Sequence, residues 1–108
     1  MKIILLTRSG QSPTKKFTEK LLNENLGDFK GRVQTMSGAA YNVPSVLSAG
    51  IDRGEVDSVF VINPSIFPPS AYELAVFKKP ALGRYREALK KAGARQTSWD
   101  IAMHLAKS

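Results

Sequence analysis

The chain opens on four consecutive apolar residues, Ile3-Ile4-Leu5-Leu6, set between Lys2 and the polar pair Thr7-Arg8. A short unbroken apolar run with polar ends suits a strand covered on both faces, so residues 2–7 are read as a buried strand. The period then changes. Phe17, Leu21, Leu22 and Leu26 recur at helical spacing while Lys15, Lys16, Glu19 and Glu24 turn mostly outward. Ser12 stands as N-cap, Pro13 occupies the first helical position where its missing N–H costs nothing, and Gly27 supplies the stop. A helix over 13–26 follows from that spacing.

A shorter candidate strand spans 31–36, followed by the small-residue loop Ser37-Gly38-Ala39-Ala40-Tyr41-Asn42. The next helix is expected over 44–53, with Val43, Val46, Leu47 and Ile51 on one face and Gly54 at its end. Residues 57–62 form a strong strand pattern, closed by Asn63-Pro64. The interval 63–69 holds Pro64, Pro68 and Pro69 and reads as an irregular, stiff loop. Ser70-Ala71-Tyr72-Glu73 has the spacing of a capping box, which predicts a helix carrying Tyr72, Leu74, Ala75, Val76 and Phe77 until Pro80 ends or kinks it. A further helix over 81–92 carries the stripe Leu82, Tyr85, Leu89 and Ala92 and closes at Gly93. Thr97 caps a last helix over 98–107, with Trp99, Ala102, Met103 and Ala106 directed inward.

This order of elements predicts an α/β fold: a single domain over 1–108, built as a small three-layer structure around a three-stranded, mainly parallel sheet, with a C-terminal helical pair. Right-handed crossovers place the strands in the order 2-1-3. Ligands in such sheets lie beyond the carboxyl ends of the strands, here residues 7–14, 37–42 and 63–65. All three loops are rich in small and hydroxyl-bearing residues, a composition that tight turns also demand with nothing bound.

Composition narrows the chemistry. With 43% hydrophobic and 23% charged residues the chain is of globular type. No apolar run approaches the roughly 18 residues of a membrane span, and Arg8 follows Leu6 too soon for a signal-peptide core, so no membrane partner and a cytoplasmic location are expected. The absence of cysteine excludes a disulfide framework, a thiol nucleophile and thiolate metal sites. With His104 the only histidine and no clustered carboxylates, no metal and no resident cofactor is expected.

Charge is the more informative bound. The net charge of +7 is segregated: residues 1–32 are basic on balance, residues 33–77 acidic, and residues 78–95 set Lys78, Lys79, Arg84, Arg86, Lys90, Lys91 and Arg95 against Glu87 alone. A segregated positive field is what a nucleic acid or an acidic protein surface would feel, and equally what a solvated helix face looks like.

The opening residues, Met1-Lys2-Ile3-Ile4-Leu5-Leu6-Thr7-Arg8-Ser9-Gly10-Gln11-Ser12-Pro13-Thr14, place a polar glycine loop between a strand and a helix N-terminus, where backbone N–H groups and the helix dipole converge on one spot. Thr7, Arg8, Ser9, Gly10, Ser12 and Thr14 are the candidate anion-binding positions. This stretch resembles the phosphate loop of flavodoxin-like domains and is similar to the start of the IIB subunits of sugar phosphotransferase systems. The resemblance covers about the first quarter of the chain and implies an α/β fold with a loop that holds a flavin or nucleotide phosphate. Thr7 stands where the IIB subunits carry their phosphorylated cysteine, so phosphocysteine chemistry is excluded.

A catalytic set is not discernible. Thr7, Ser9, Ser12 and Thr14 offer hydroxyls, but the one histidine lies in the last helix beside core positions, and a nucleophile needs a base in reach. Gly10-Gln11-Ser12-Pro13-Thr14-Lys15-Lys16 lacks the second glycine of a nucleotide-hydrolase loop. Asp52, Glu55 and Asp57 could in principle supply acid and base or hold magnesium, but they fall at a helix-to-strand turn on the edge away from the candidate loops.

Three readings of function follow. The first is a small non-enzymatic binding module whose basic helix, with Lys15, Lys16 and Lys20, engages nucleic acid or another acidic partner. The second is a nucleotide- or flavin-phosphate-binding domain of flavodoxin type, taking a phosphate-containing small molecule at the opening loop. The third is a protein-interaction factor, a subunit or a regulator encoded by a virus or mobile element, covering a partner's surface with exposed Phe67, Tyr72 and Phe77.

Overall fold

A computed structural model of the chain describes residues 2–8, 23–24, 33–37, 43–64 and 72–107. Four strands, β1 (Lys2–Thr7), β2 (Val33–Ser37), β3 (Val56–Pro64) and β4 (Tyr72–Phe77), form one sheet in the order β2-β1-β3-β4. Three helices of full described extent accompany them: α1 (Pro44–Asp52), α2 (Ala81–Ala92) and α3 (Ser98–Lys107), with a 3-10 turn at Gly93–Arg95 between the last two.

β1 pairs parallel with both neighbours, Thr7 standing level with Ser37 of β2 and Ile62 of β3. The expected order 2-1-3 is therefore present, with β1 inside the sheet. Ile3, Ile4, Leu5 and Leu6 are all buried, which is why the run shows no alternation of apolar and polar residues.

The sheet is mixed and has a fourth strand, which corrects the expectation of a mainly parallel three-stranded sheet. β4 runs antiparallel to β3, pairing Val59 with Phe77 and Ile62 with Leu74. Only residues 65–71 join the two strands. A parallel neighbour needs a crossover of a dozen or more residues, so a connection this short imposes the antiparallel direction. The same geometry overturns the helix read from Ser70 to Phe77. A helix confined between that capping pattern and Pro80 would span about two turns, marginal on its own. Tyr72, Val76 and Phe77 instead favour a strand, and the free edge of β3 supplies the hydrogen bonds a helix would have made internally.

One face of the sheet, formed by Ile4, Leu6, Val59, Val61, Ala75 and Phe77, meets all three described helices through Leu47, Leu82, Tyr85, Leu89, Ile101, Ala102 and Met103. At its centre the Phe77 and Tyr85 rings stack with centroids 4.7 Å apart. Ile3, Leu5, Phe60 and Ile62 on the opposite face are buried as well. The helix expected over 13–26 lies outside the described residues except for Asn23 and Glu24, which are helical and exposed.

Two helical faces differ from the sequence pattern. α1 turns Pro44, Leu47, Ser48 and Gly50 inward and leaves Val43 and Val46 about half exposed. Its buried face is set by the close approach to β3, where a Cβ on Gly50 would stand 3.3 Å from Val56 Cγ2. α3 buries Ile101, Ala102 and Met103, half-buries Trp99 and exposes Ala106. The expected pair 81–92 and 98–107 is otherwise as read, and Thr97 is the N-cap of α3: the Asp100 N–H donates to Thr97 Oγ1 at 3.0 Å.

Candidate functional site

The carboxyl ends of β1, β2 and β3 form one edge, the place where a ligand of this sheet type would sit. Of the six anion-loop positions, Thr7 is buried and Arg8 exposed, while Ser9, Gly10, Ser12 and Thr14 lie outside the described residues. The Arg8 guanidinium stands 5.6 Å from the centroid of the Trp99 ring, in the first turn of α3. That turn carries its own counter-charge: Thr97 Oγ1 donates to Asp100 Oδ2 at 2.7 Å, and the carboxylate sits where the helix dipole favours an anion. The Asp100 N–H at the start of α3 is already capped by Thr97, and Arg8 is the described cation at this edge.

The seven cations of residues 78–95 do not form one surface. Lys78 is half-buried, with Nζ 5.8 Å from the Phe60 ring centroid, and Lys79 is exposed at the cis Lys79–Pro80 peptide that begins α2. Arg86 and Lys90 point to α1. Arg86 donates to Asp52 Oδ1 at 3.0 Å and also pairs with Glu87, and Lys90 reaches Asp52 Oδ2 at 2.9 Å. Hydrogen bonds from Lys90 and then Arg86 hold the Asp52 carboxyl below the usual carboxylate range, and the bond to Asp52 raises Arg86 above its ordinary value. Two cations and two carboxylates cancel here, so this flank presents no net charge.

The remaining cations face elsewhere. Arg84 and Lys91 are exposed and make no ion pair among the described residues. Arg95 folds back on the end of α2, its Nη2 donating to Lys91 O at 2.8 Å and its Nε to Ala92 O at 3.2 Å. Those carbonyls belong to the set that a helix C-terminus leaves without intrahelical donors. The guanidinium is thus fixed in place with donors to spare.

Beside Lys91 and Arg95 lies a groove of about 240 Å³ between α2 and α3. Ala88 and Ala92 on α2 and Ile101 and Leu105 on α3 supply its apolar lining, and His104 and Gln96 complete the border. Helical patterning alone did not reveal it. Each apolar pair has i, i+4 spacing and so was legible as a helix face, but the gap depends on how the two faces meet. Small side chains on α2 against Ile and Leu on α3 are the one signal that could have pointed to it. The helices are joined at their buried ends by Tyr85, whose hydroxyl donates to Ser98 O at 2.8 Å. Burial pushes the phenol's pKa up, which keeps it a donor.

Other candidate residues are placed apart from these features. Asp52 is committed to α2, and Glu55 accepts from Arg53 at 3.0 Å on the exposed turn before β3. Asp57 is half-buried in β3, and His104 is exposed on α3. Among the described residues no three His, Asp or Glu side chains gather into a metal-holding group, and no helix is long and apolar enough to cross a membrane. Phe77, read as an exposed aromatic, is buried against Tyr85 because β4 carries it into the core. Tyr72 lies on β4, and Phe67 lies outside the described residues. Comparison with known proteins finds no matching family model, no matching curated protein and no matching solved structure.

Proposed function

We propose that this chain is a non-enzymatic binding module of the cytoplasm that engages an acidic partner through the surface formed by Arg84 and Lys91 of α2 and Arg95 of the turn that follows it. The observation that carries the reading is the division of the cations: Arg86 and Lys90 are balanced by Asp52 and Glu87, whereas Arg84 and Lys91 make no ion pair among the described residues. Between the two kinds of acidic partner, a protein is favoured over a nucleic acid. The unpaired cationic footprint is small, and it borders an apolar groove that phosphates would not fill.

The test is retention on immobilised poly-glutamate across a salt series. Arg84→Glu with Lys91→Glu is expected to abolish retention while the fold persists, because exposed substitutions cost little. Retention of the folded double variant at the wild-type salt concentration would refute the reading. Reversal at Arg86 or Lys90 is the wrong experiment, since it would set a new carboxylate beside Asp52.

A second reading, a flavin- or nucleotide-phosphate site at the carboxyl edge of the sheet, is favoured by the order β2-β1-β3 with Thr7 and Arg8 at the centre of that edge. It expects stabilisation of the chain by FMN or a nucleotide, reduced by Gly10→Val, whose side chain would block backbone approach. Equal stabilisation of the variant would remove the loop from the account.

A further inference from the structure

The groove between α2 and α3 narrows the partner further, resting on the acidic-partner reading above. We infer that it takes the apolar anchor of an acidic amphipathic helix presented by another protein.

Size is the first argument. A volume of about 240 Å³ lies below the roughly 300–1,000 Å³ of small-molecule and cofactor sites. It is of the order of one large side chain, the dimension of an interface hot spot, not of a flavin or nucleotide. The lining is the second. Ala88 and Ala92 form one wall at i, i+4 spacing and Ile101 and Leu105 form the other, so the trough runs along two helices and offers a third helix a seat.

Charge selects the occupant. Lys91 and Arg95 border the trough, also four residues apart, and no carboxylate lines it among the described residues. Arg95 is held by its bonds to Lys91 O and Ala92 O, so its free donors face a ligand without further ordering cost. A helix that lays Leu, Ile, Met or an aromatic residue into the trough brings its flanking Asp or Glu side chains, one turn apart, level with these two cations. A nucleic acid is disfavoured because the lining, among the described residues, includes no Phe, Tyr or Trp on which bases could stack.

The experiment uses the full chain against a displayed library of amphipathic peptides of about 18 residues, long enough to form a helix. Apolar residues are fixed at helical spacing and Asp, Glu, Lys and Arg vary on the flanks. The expected result is enrichment of peptides with a large apolar anchor flanked by acidic residues. Their binding should weaken about tenfold or more in Ala88→Leu, which fills the trough, and in Lys91→Glu, which reverses its rim. Arg84→Glu, outside the groove, should change it by less than about twofold. Thermal melts confirm that each variant is folded, and the two groove variants fail independently if either perturbs the helices. Enrichment without acidic flanks, or binding indifferent to both groove variants, overturns the inference. So does a DNA duplex that binds with the same residue dependence. Absence of any enriched peptide while poly-glutamate retention still needs Arg84 and Lys91 removes the groove and leaves the acidic-partner reading standing; loss of both removes both.

Discussion

The two flanks of α2 carry the same kinds of residue and put them to opposite use. Toward α1, Arg86 and Lys90 converge on one carboxylate, Asp52, and bind the helices together. Toward α3, Lys91 and Arg95 border an apolar trough in which no carboxylate stands among the described lining residues. Lys90 and Lys91 are chain neighbours, yet about 100° of helical rotation separates a structural lysine from an available one. A basic run is therefore not a basic surface. What each cation does is decided by the element it faces, and on α2 the two faces meet different helices.

The strongest way to break this contrast is to remove what both flanks stand on. Leu89 is fully buried beneath them, in the cluster that joins α2 to α1, α3 and the sheet. Leu89→Ala is expected to cost about 2 to 5 kcal/mol, read as a lowered urea midpoint, and to weaken the clamp and the groove together. A loss under about 1 kcal/mol would mean that the helices are not seated as described.

A sharper cut separates the flanks. Tyr85→Phe deletes the hydroxyl that joins α2 to Ser98 and should cost about 1 to 2 kcal/mol, mainly through the α3 side. It has a pH signature. The native phenol titrates above its ordinary value of 10.0 while the unfolded one does not, so the native state holds the proton longer. The wild type should lose stability as pH rises past about 10, and the phenylalanine variant should lack that part of the alkaline decline. Parallel alkaline limbs for the two proteins would contradict the buried donor.

The smallest effect belongs to the exposed clamp. Asp52 titrates below its ordinary value of 3.8 because Lys90 and Arg86 donate to it. Its contribution is complete above that pH and disappears as pH falls through the lowered native value. Asp52→Asn should flatten this portion of the acid limb, and high salt should narrow the difference at neutral pH. It should also free Arg86 and Lys90 to bind polyanions, raising the salt needed to elute the protein from poly-glutamate. Unchanged elution would show that the clamp does not silence these cations.

Much of the architecture was legible from local pattern. The uninterrupted Ile3–Leu6 run identified a strand buried on both faces, and β1 is that strand. Leu82, Tyr85 and Leu89 marked the inner face of α2, and Thr97 marked the start of α3. Pattern misled where two local preferences competed. Ser70 and Glu73 imitate a capping box, but the stretch from Tyr72 to Phe77 is drawn into the sheet by the unpaired edge of β3. Val43 and Val46 have helical spacing with Leu47, yet contact with β3 rotates the buried face of α1 toward Ser48 and Gly50. At the candidate sites, the cations were visible as a list of residues, and of the groove only the i, i+4 spacing of its two walls was.

Residue order alone was enough to specify the parallel strands, the extent of the three described helices, the inside of α2 and the excess of positive charge on 78–95, because propensity, period and composition act over a few residues. It could not specify which of those charges remain available. Asp52 and Arg86 are 34 positions apart in the chain and 3.0 Å apart in space, and the groove exists only where α2 and α3 meet. Ion pairing depends on distance and packing on shape, and both are properties of segments brought together by folding.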